Sequence, residues 1–323
     1  MHFARLSLLT PLLLGCSTSP DSVSPLPRPL LRKLGTVDTD LVETTPVVFR
    51  GRLWRFESVR ERYPGNALGK PYFRFVDAAT GGATPPFAEG RHLGCALVEG
   101  DAVHVFGVPA WGASRIDVFR SGDLKTWTTQ TAFERPGWGI YNTSVARGPD
   151  GFVMAIELGA PPDVVGVGFT MRFATSKDLR TWVLLPEDRV FAKDRYTACP
   201  TIRWLDGFWY MVYLEARPGP AYELWIVRSP DLVRWEPSPL NPILRFSDDD
   251  RRIASPHLSA DRRATVAAAV DRNNSDVDFV EFGGKVVLYY SWGDQAGVEF
   301  LARAEYDGSL REMLTGYFPS PSK

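Results

Sequence analysis

The sequence is poor in the residues that build metal centres and covalent cross-links. Of 323 residues only four are His and three are Cys, and no two His stand at metal-ligand spacing, so neither a zinc site nor any other cofactor is expected. Cys95 and Cys199 sit in separate apolar, strand-like runs, which predicts two buried thiols rather than a disulfide. An excess of one charge is also missing. With 37 basic against 38 acidic side chains there is no basic stripe for a nucleic acid and no acidic tail. No amphipathic segment of three helical turns follows the N-terminal leader. What remains is an all-β expectation, with aromatics making up 12% of the chain, including 10 Trp and 11 Tyr.

The first 16 residues read as an export signal: His2 and Arg5, then a mostly apolar run from Leu6 to Leu14, then small residues. That run is far shorter than the about 20 residues a bilayer span needs. Leu13-Leu14-Gly15-Cys16 resembles a bacterial lipobox, in which Cys16 would carry the lipid. The predicted location is therefore outside the cytoplasm, lipid-anchored or periplasmic/extracellular, with membrane contact only through that anchor. Residues 17–35 are predicted to be a flexible tether, since Ser17 to Pro29 hold four Pro and five Ser or Thr.

A pattern S-x-D-L-x-x-W occurs three times at intervals of roughly 50 residues, the period of propeller blades. The copies are Ser121 to Trp127, Ser176 to Trp182 and Ser229 to Trp235, each after a β-rich run. A tight turn is predicted, with Ser and Asp bonding backbone amides, Leu packed inward and Trp covering an outer edge. Five hairpins with Gly-containing turns complete the repeat: at Gly51, Gly100, Gly148 to Gly151, Gly207 and Gly283-Gly284. Five four-stranded blades over residues 36–318 are the expectation, followed by a short tail from 319. Short strands and regular turns also suit a β-sandwich, but not a motif repeated at blade period.

On these turns and hairpins the chain resembles the five-bladed propellers of glycoside hydrolase families 43 and 32. The resemblance implies a glycoside-hydrolase-like protein acting on a polysaccharide or oligosaccharide, with carboxylates at the start of the innermost strands. It also implies acids in three places where this chain has other residues. An Asp-Pro is replaced by Thr45-Pro46, an Arg-Asp-Pro by Arg91-His92-Leu93, and a Glu before Cys-Pro by Ala198. Either other acids do the chemistry, or the propeller binds sugar without cleaving it.

Substitutes are available. Glu43 lies two residues before Thr45, and Asp276 and Asp278 follow Asn274-Ser275 in the fifth repeat. Glu57, Glu157 and Glu215 end the second strands of three repeats. The expected catalytic set is Glu43, Asp276 and Glu215, with Glu157 as the alternative to Glu215, because glycoside cleavage needs two carboxyl groups. His92, Asn142, Asn274, Trp292, Gln295 and the loop residue Arg60 are the expected sugar contacts, as donors to hydroxyls or as a stacking face.

Overall fold

The computed structural model describes residues 28–219, 221–295 and 299–319. The export signal, Cys16 and most of the tether lie outside them. The first strand, β1 (Arg32–Thr39), begins inside the stretch expected to be tether, because it has a pairing partner at the far end of the chain. A three-stranded sheet follows, β2 (Thr44–Phe49), β3 (Arg52–Val59) and β4 (Tyr72–Asp77). The next has four strands, β5 (His92–Glu99), β6 (Ala102–Val108), β7 (Arg115–Ser121) and β8 (Thr128–Glu134). Then come β9 (Gly139–Gly148), β10 (Gly151–Ala160), β11 (Thr170–Ser176), β12 (Val183–Leu184) and β13 (Val190–Phe191), with helix α1 (Pro162–Val165) after β10.

An eight-stranded sheet completes the chain. It comprises β14 (Thr197–Leu205), β15 (Phe208–Arg217), β16 (Ala221–Ser229) and β17 (Glu236–Pro237), then β18 (Asn273–Phe282), β19 (Lys285–Gly293) and β20 (Phe300–Tyr306), with β1 added to β20. Its halves meet at a single parallel pair, Tyr222 opposite Asn273. Helices α2 (Ala260–Ala268) and α3 (Leu310–Gly316) are both shorter than three turns.

The predicted hairpins are present. Asp206 and Gly207 both have positive φ between β14 and β15, the conformation a two-residue turn needs to match strand twist. The three S-x-D-L-x-x-W turns are also nearly identical. In the middle copy Ser176 Oγ accepts from the amides of Asp178 and Leu179, while Asp178 Oδ1 accepts from Arg180 and Thr181, each at 2.9 Å. These bonds force Leu124, Leu179 and Leu232 into left-handed backbone at φ 62–63°. That costs about 1–2 kcal/mol each, a cost comparable to what their burial returns. The Trp does not cover an outer edge as expected. Trp127 stacks on Phe75 (6.0 Å) and Phe87 (3.8 Å), Trp182 meets Phe106 (5.7 Å) and Trp235 stacks on Phe173 (5.6 Å). Each motif Trp thus wedges against aromatics of the preceding sheet.

Five apolar clusters fill the gaps between neighbouring groups of strands, one of them between the two halves of the eight-stranded sheet. The last joins Leu53, Val59 and Tyr72 of the first sheet to Val287, Tyr289 and Leu301 near the chain's end. The innermost strands also pack in a cycle: β2 on β5, β5 on β9, β9 on β14, β14 on β18 and β18 on β2. The strands are laced across these gaps by hydroxyl groups. Thr45 Oγ1 accepts from Ala96 N at 3.3 Å, Ser144 Oγ accepts from Ile202 N at 3.0 Å, and Thr201 Oγ1 donates to the Val277 carbonyl. The Cys95 thiol meets the Thr143 hydroxyl at 3.4 Å.

Where β1 meets the last sheet, a buried polar network replaces apolar packing. Lys33 Nζ donates to Asp250 Oδ2 (2.7 Å) and to Asn274 Oδ1 (2.9 Å), and the Tyr290 hydroxyl donates to Asp250 Oδ1. Asp271 lies beside Asp250, and as a carboxylate it has no donor among the described residues. Burial, and then the Asp250 charge, push its carboxyl up to about 8, so that it keeps its proton at neutral pH. The folded pKa lies above the unfolded value of about 3.9. The resulting stability is complete below that unfolded value and is lost as pH climbs to about 8. Asp271→Asn should therefore gain on the wild type in thermal unfolding as pH is raised from 4 to 8.5. A difference in melting temperature that stays constant over that range would contradict this assignment.

Candidate active site

Four inner strands are interrupted at the same level by a bulge in which two residues face one. The pairs are Leu93-Gly94 in β5, Tyr141-Asn142 in β9, Cys199-Pro200 in β14 and Asp276-Val277 in β18. In three of them the first bulge residue has positive φ: Leu93 (52°), Cys199 (53°) and Asp276 (49°). A bulge turns a side chain away from the alternating pattern. Here residues of all five inner strands line one narrow cavity of about 30 Å³, among them Thr45, Cys95, Asn142, Cys199 and Asp276, with Glu43 just ahead of β2.

Three buried glutamates surround Asp276. Burial pushes Glu157 up to about 8, against the hydrogen bonds from Cys199 N (2.6 Å) and Asn142 Nδ2 (3.2 Å), with Asp276 and Glu43 adding to the rise. Both of those donors reach Oε2, which leaves Oε1 to carry the proton. Burial likewise raises Glu43 to about 7, opposed by Arg60 (Nη2 to Oε1, 3.8 Å) and reinforced by Asp276 and Asp40. Glu299, just before β20, is raised to about 7 by burial and by Asp276, although Gln295 N donates to it at 2.8 Å. Gly293 makes room for it, since a Cβ there would stand 2.5 Å from Glu299 Oε2. The negative charge of Asp276 is thus the field common to all three glutamates. Thr44 Oγ1 and Arg60 Nε, both beside Glu43, are buried without a hydrogen-bond partner among the described residues.

The structure brings Glu43, Asp276, Asn142 and Arg60 together, and it places other predicted residues elsewhere. Glu215 is held by Arg195 Nε at 3.1 Å to both oxygens and by the Tyr213 hydroxyl at 2.9 Å. It pairs with Thr197, beyond the β14 bulge, whereas Glu157 stands opposite the β9 bulge, so the two are not at the equivalent repeat positions expected, and Glu157 is the one in the cluster. Glu57 is clamped between Arg55 and Arg74, each at 2.6 Å. Asn274 belongs to the Lys33–Asp250 network, where no ligand reaches it. Trp292 is fully buried, donates from Nε1 to Thr36 at 2.9 Å and stacks on Phe300 at 4.3 Å, so it offers no face to a sugar. Gln295 acts on the site through its backbone amide, with its side chain exposed.

His92 opens β5 half-exposed, and burial lowers its pKa against the pull of Glu61, which keeps the ring neutral at pH 7. Asp276 and Asp278 do not simply share a face. The bulge separates them, and Asp278 is tied to Arg203 and to Phe279 N (2.7 Å). Glu299 is the one acid of the cluster that sequence reasoning missed. Its only signal is a position matching that of Glu43, immediately ahead of a strand.

Cys95 and Cys199 are free, as expected, although Cys199 is only half-buried. Burial pushes the Cys95 thiol up to about 12 and raises the Cys199 thiol well above its ordinary value, with Asp276 and Glu157 adding to the latter. Neither should be labelled by a thiol reagent in the native protein at pH 8, whereas both react after denaturation. Rapid native labelling at Cys199 would show that the cluster is not as charged or as enclosed as described.

No protein-family model and no curated protein sequence matches the chain. Solved structures do resemble it. An N-acetylgalactosamine deacetylase from F. plautii, in complex with blood group B trisaccharide, is 13% identical with a TM-score of 0.58, over 88% of this chain and 97% of that one. A GH43 endo-arabinanase from Bacillus licheniformis is 10% identical with a TM-score of 0.53, over 84% and 96%. The Bombyx mori GH32 β-fructofuranosidase is 13% identical with a TM-score of 0.51, over 85% and 59%. The likeness is one of fold, to propeller-type glycoside hydrolases and to an enzyme of different chemistry on a similar frame.

Proposed function

We propose that this chain is an exported five-bladed β-propeller that hydrolyses O-glycosidic bonds in a polysaccharide or its oligosaccharides. The five-blade reading rests on the cyclic packing of β2, β5, β9, β14 and β18 and on the five apolar clusters, one of which divides the eight-stranded sheet into two halves. Export, with a lipid anchor at Cys16, rests on the leader alone.

The observation that carries the catalytic reading is the ring of proton-holding glutamates around Asp276. Glycoside cleavage needs one carboxylic acid to protonate the departing oxygen and one carboxylate to activate water or attack carbon. Glu157, raised to about 8, is the acid, with its proton on Oε1. Asp276, whose charge its neighbours feel, is the carboxylate. Glu43 and Arg60 flank it from the first sheet, and Glu299 from the last. Asn142 and Cys199 N hold Glu157 in orientation. A second reading, a propeller that binds sugar without cleaving it, draws on Thr45, His92 and Ala198 standing where the resemblance implies acids.

The test is hydrolysis of a polysaccharide panel by the wild type, Glu157→Gln and Asp276→Asn. Each substitution should lower turnover by about 10²–10⁴-fold, the range for loss of one acid or base. Glu157→Gln should cost less on substrates whose leaving group needs no proton. Wild-type binding without any turnover would establish the second reading instead. Glu157 must be protonated to act, so activity should fall as pH rises through about 8. Because Asn142 lowers that value by donating to the carboxylate, Asn142→Ala should move this alkaline limb of kcat/KM upward. A downward shift would remove Glu157 as the acid.

A further inference from the structure

Five aromatic rings form a continuous path over the end of the molecule that holds the carboxyl groups. Trp111, between β6 and β7, meets Tyr141 edge-on at 6.3 Å, and Tyr141 meets Phe169 at 4.8 Å. Phe169 meets Tyr196 at 5.3 Å, and Tyr196 meets Tyr222 at 6.0 Å. They come from three successive sheets, and all five are at least partly exposed.

The path is cleared by glycines. A Cβ at Gly159 would stand 2.7 Å from Tyr141 and 2.8 Å from Phe169, and one at Gly168 would stand 3.2 Å from Tyr196. Core packing does not account for its outer end, because Trp111 is 58% exposed. Its inner end joins the candidate site. Burial raises the Tyr196 phenol, and so do the nearby Cys199, Glu157 and Asp276.

We infer that this arc is an extended binding platform for a neutral polysaccharide chain, leading from the Asp276 cluster across the neighbouring sheets to Trp111. The inference rests on the carbohydrate reading of that cluster, and adds that the ligand is a polymer gripped along its length. A sugar ring has an apolar C–H face and a rim of hydroxyls, which fits partly exposed aromatic rings whose flat faces are apolar and whose tyrosine hydroxyls can hydrogen-bond. The five rings carry no charge, so they select neither a polyanion nor a nucleic acid, whose binding depends on neutralising phosphates.

The experiment is native affinity electrophoresis of the full chain through gels containing arabinan, xylan, a neutral β-glucan or polygalacturonate. At least one neutral polymer should retard the wild type. Trp111→Ala should weaken that retention roughly fivefold or more. Asp276→Asn should be retained like the wild type, because it leaves the arc intact. The inference is overturned if no polymer retards the wild type, if polygalacturonate alone does, or if Trp111→Ala is retained equally. Loss of retention in Asp276→Asn would also overturn it, by placing all the binding in the carboxylate cluster. Hydrolysis by the same preparations reports on the catalytic reading separately.

Discussion

The inner strands β2, β5, β9 and β14 each end a sheet and present an unpaired backbone edge to a shared, narrow interior. Buried N–H and C=O groups without partners are costly, and an inner edge cannot be satisfied by its own sheet. The hydroxyls of Thr45, Ser144 and Thr201 resolve this by bonding backbone groups of the neighbouring inner strand. Small β-branched or hydroxylated side chains at that level let the strands approach closely. The close central arrangement follows from that demand.

Directly ahead of this hydroxyl layer the bulges begin. They spend backbone strain at Leu93, Cys199 and Asp276 to redirect side chains that regular alternation would send elsewhere. One consequence is chemical. Four carboxyl groups from β10, β18 and the segments before β2 and β20 are drawn into a space too poor in water to keep all of them ionised. The cluster is held by its surroundings rather than by counter-charges. Arg60 pairs with Glu43 at 3.8 Å. Glu57 and Glu215 have two arginines and an arginine with a tyrosine respectively, and so are held in place as structural anchors.

The sequence disclosed the repeat and lost the detail wherever long-range contacts decide. The turn motif was legible because its bonds are local, running from Ser176 and Asp178 to amides within three residues. The destination of its Trp was not, since Phe106 and Phe173 lie in another sheet. Glu43 and Asp276 could be singled out as acids beside strands. Choosing Glu157 over Glu215 required knowing that Arg195 reaches one of them, while the Cys199 amide, freed by a bulge, reaches the other. Trp292 and Asn274 misled for the same reason. A dense polar and aromatic run looks alike whether it faces a ligand or, as here, the strand that joins the two ends of the chain.

The central claim is that the inner-strand bulges enclose carboxyl groups that keep their protons near neutral pH. It is tested most directly by a carbon-13 NMR titration of the glutamate side-chain carboxyls in the intact chain, with Glu157→Gln used to assign the Glu157 resonance. The account predicts that this resonance titrates near 8 and that two further glutamates, Glu43 and Glu299, titrate near 7. A spectrum in which every glutamate titrates at its ordinary value of about 4.3 would contradict it.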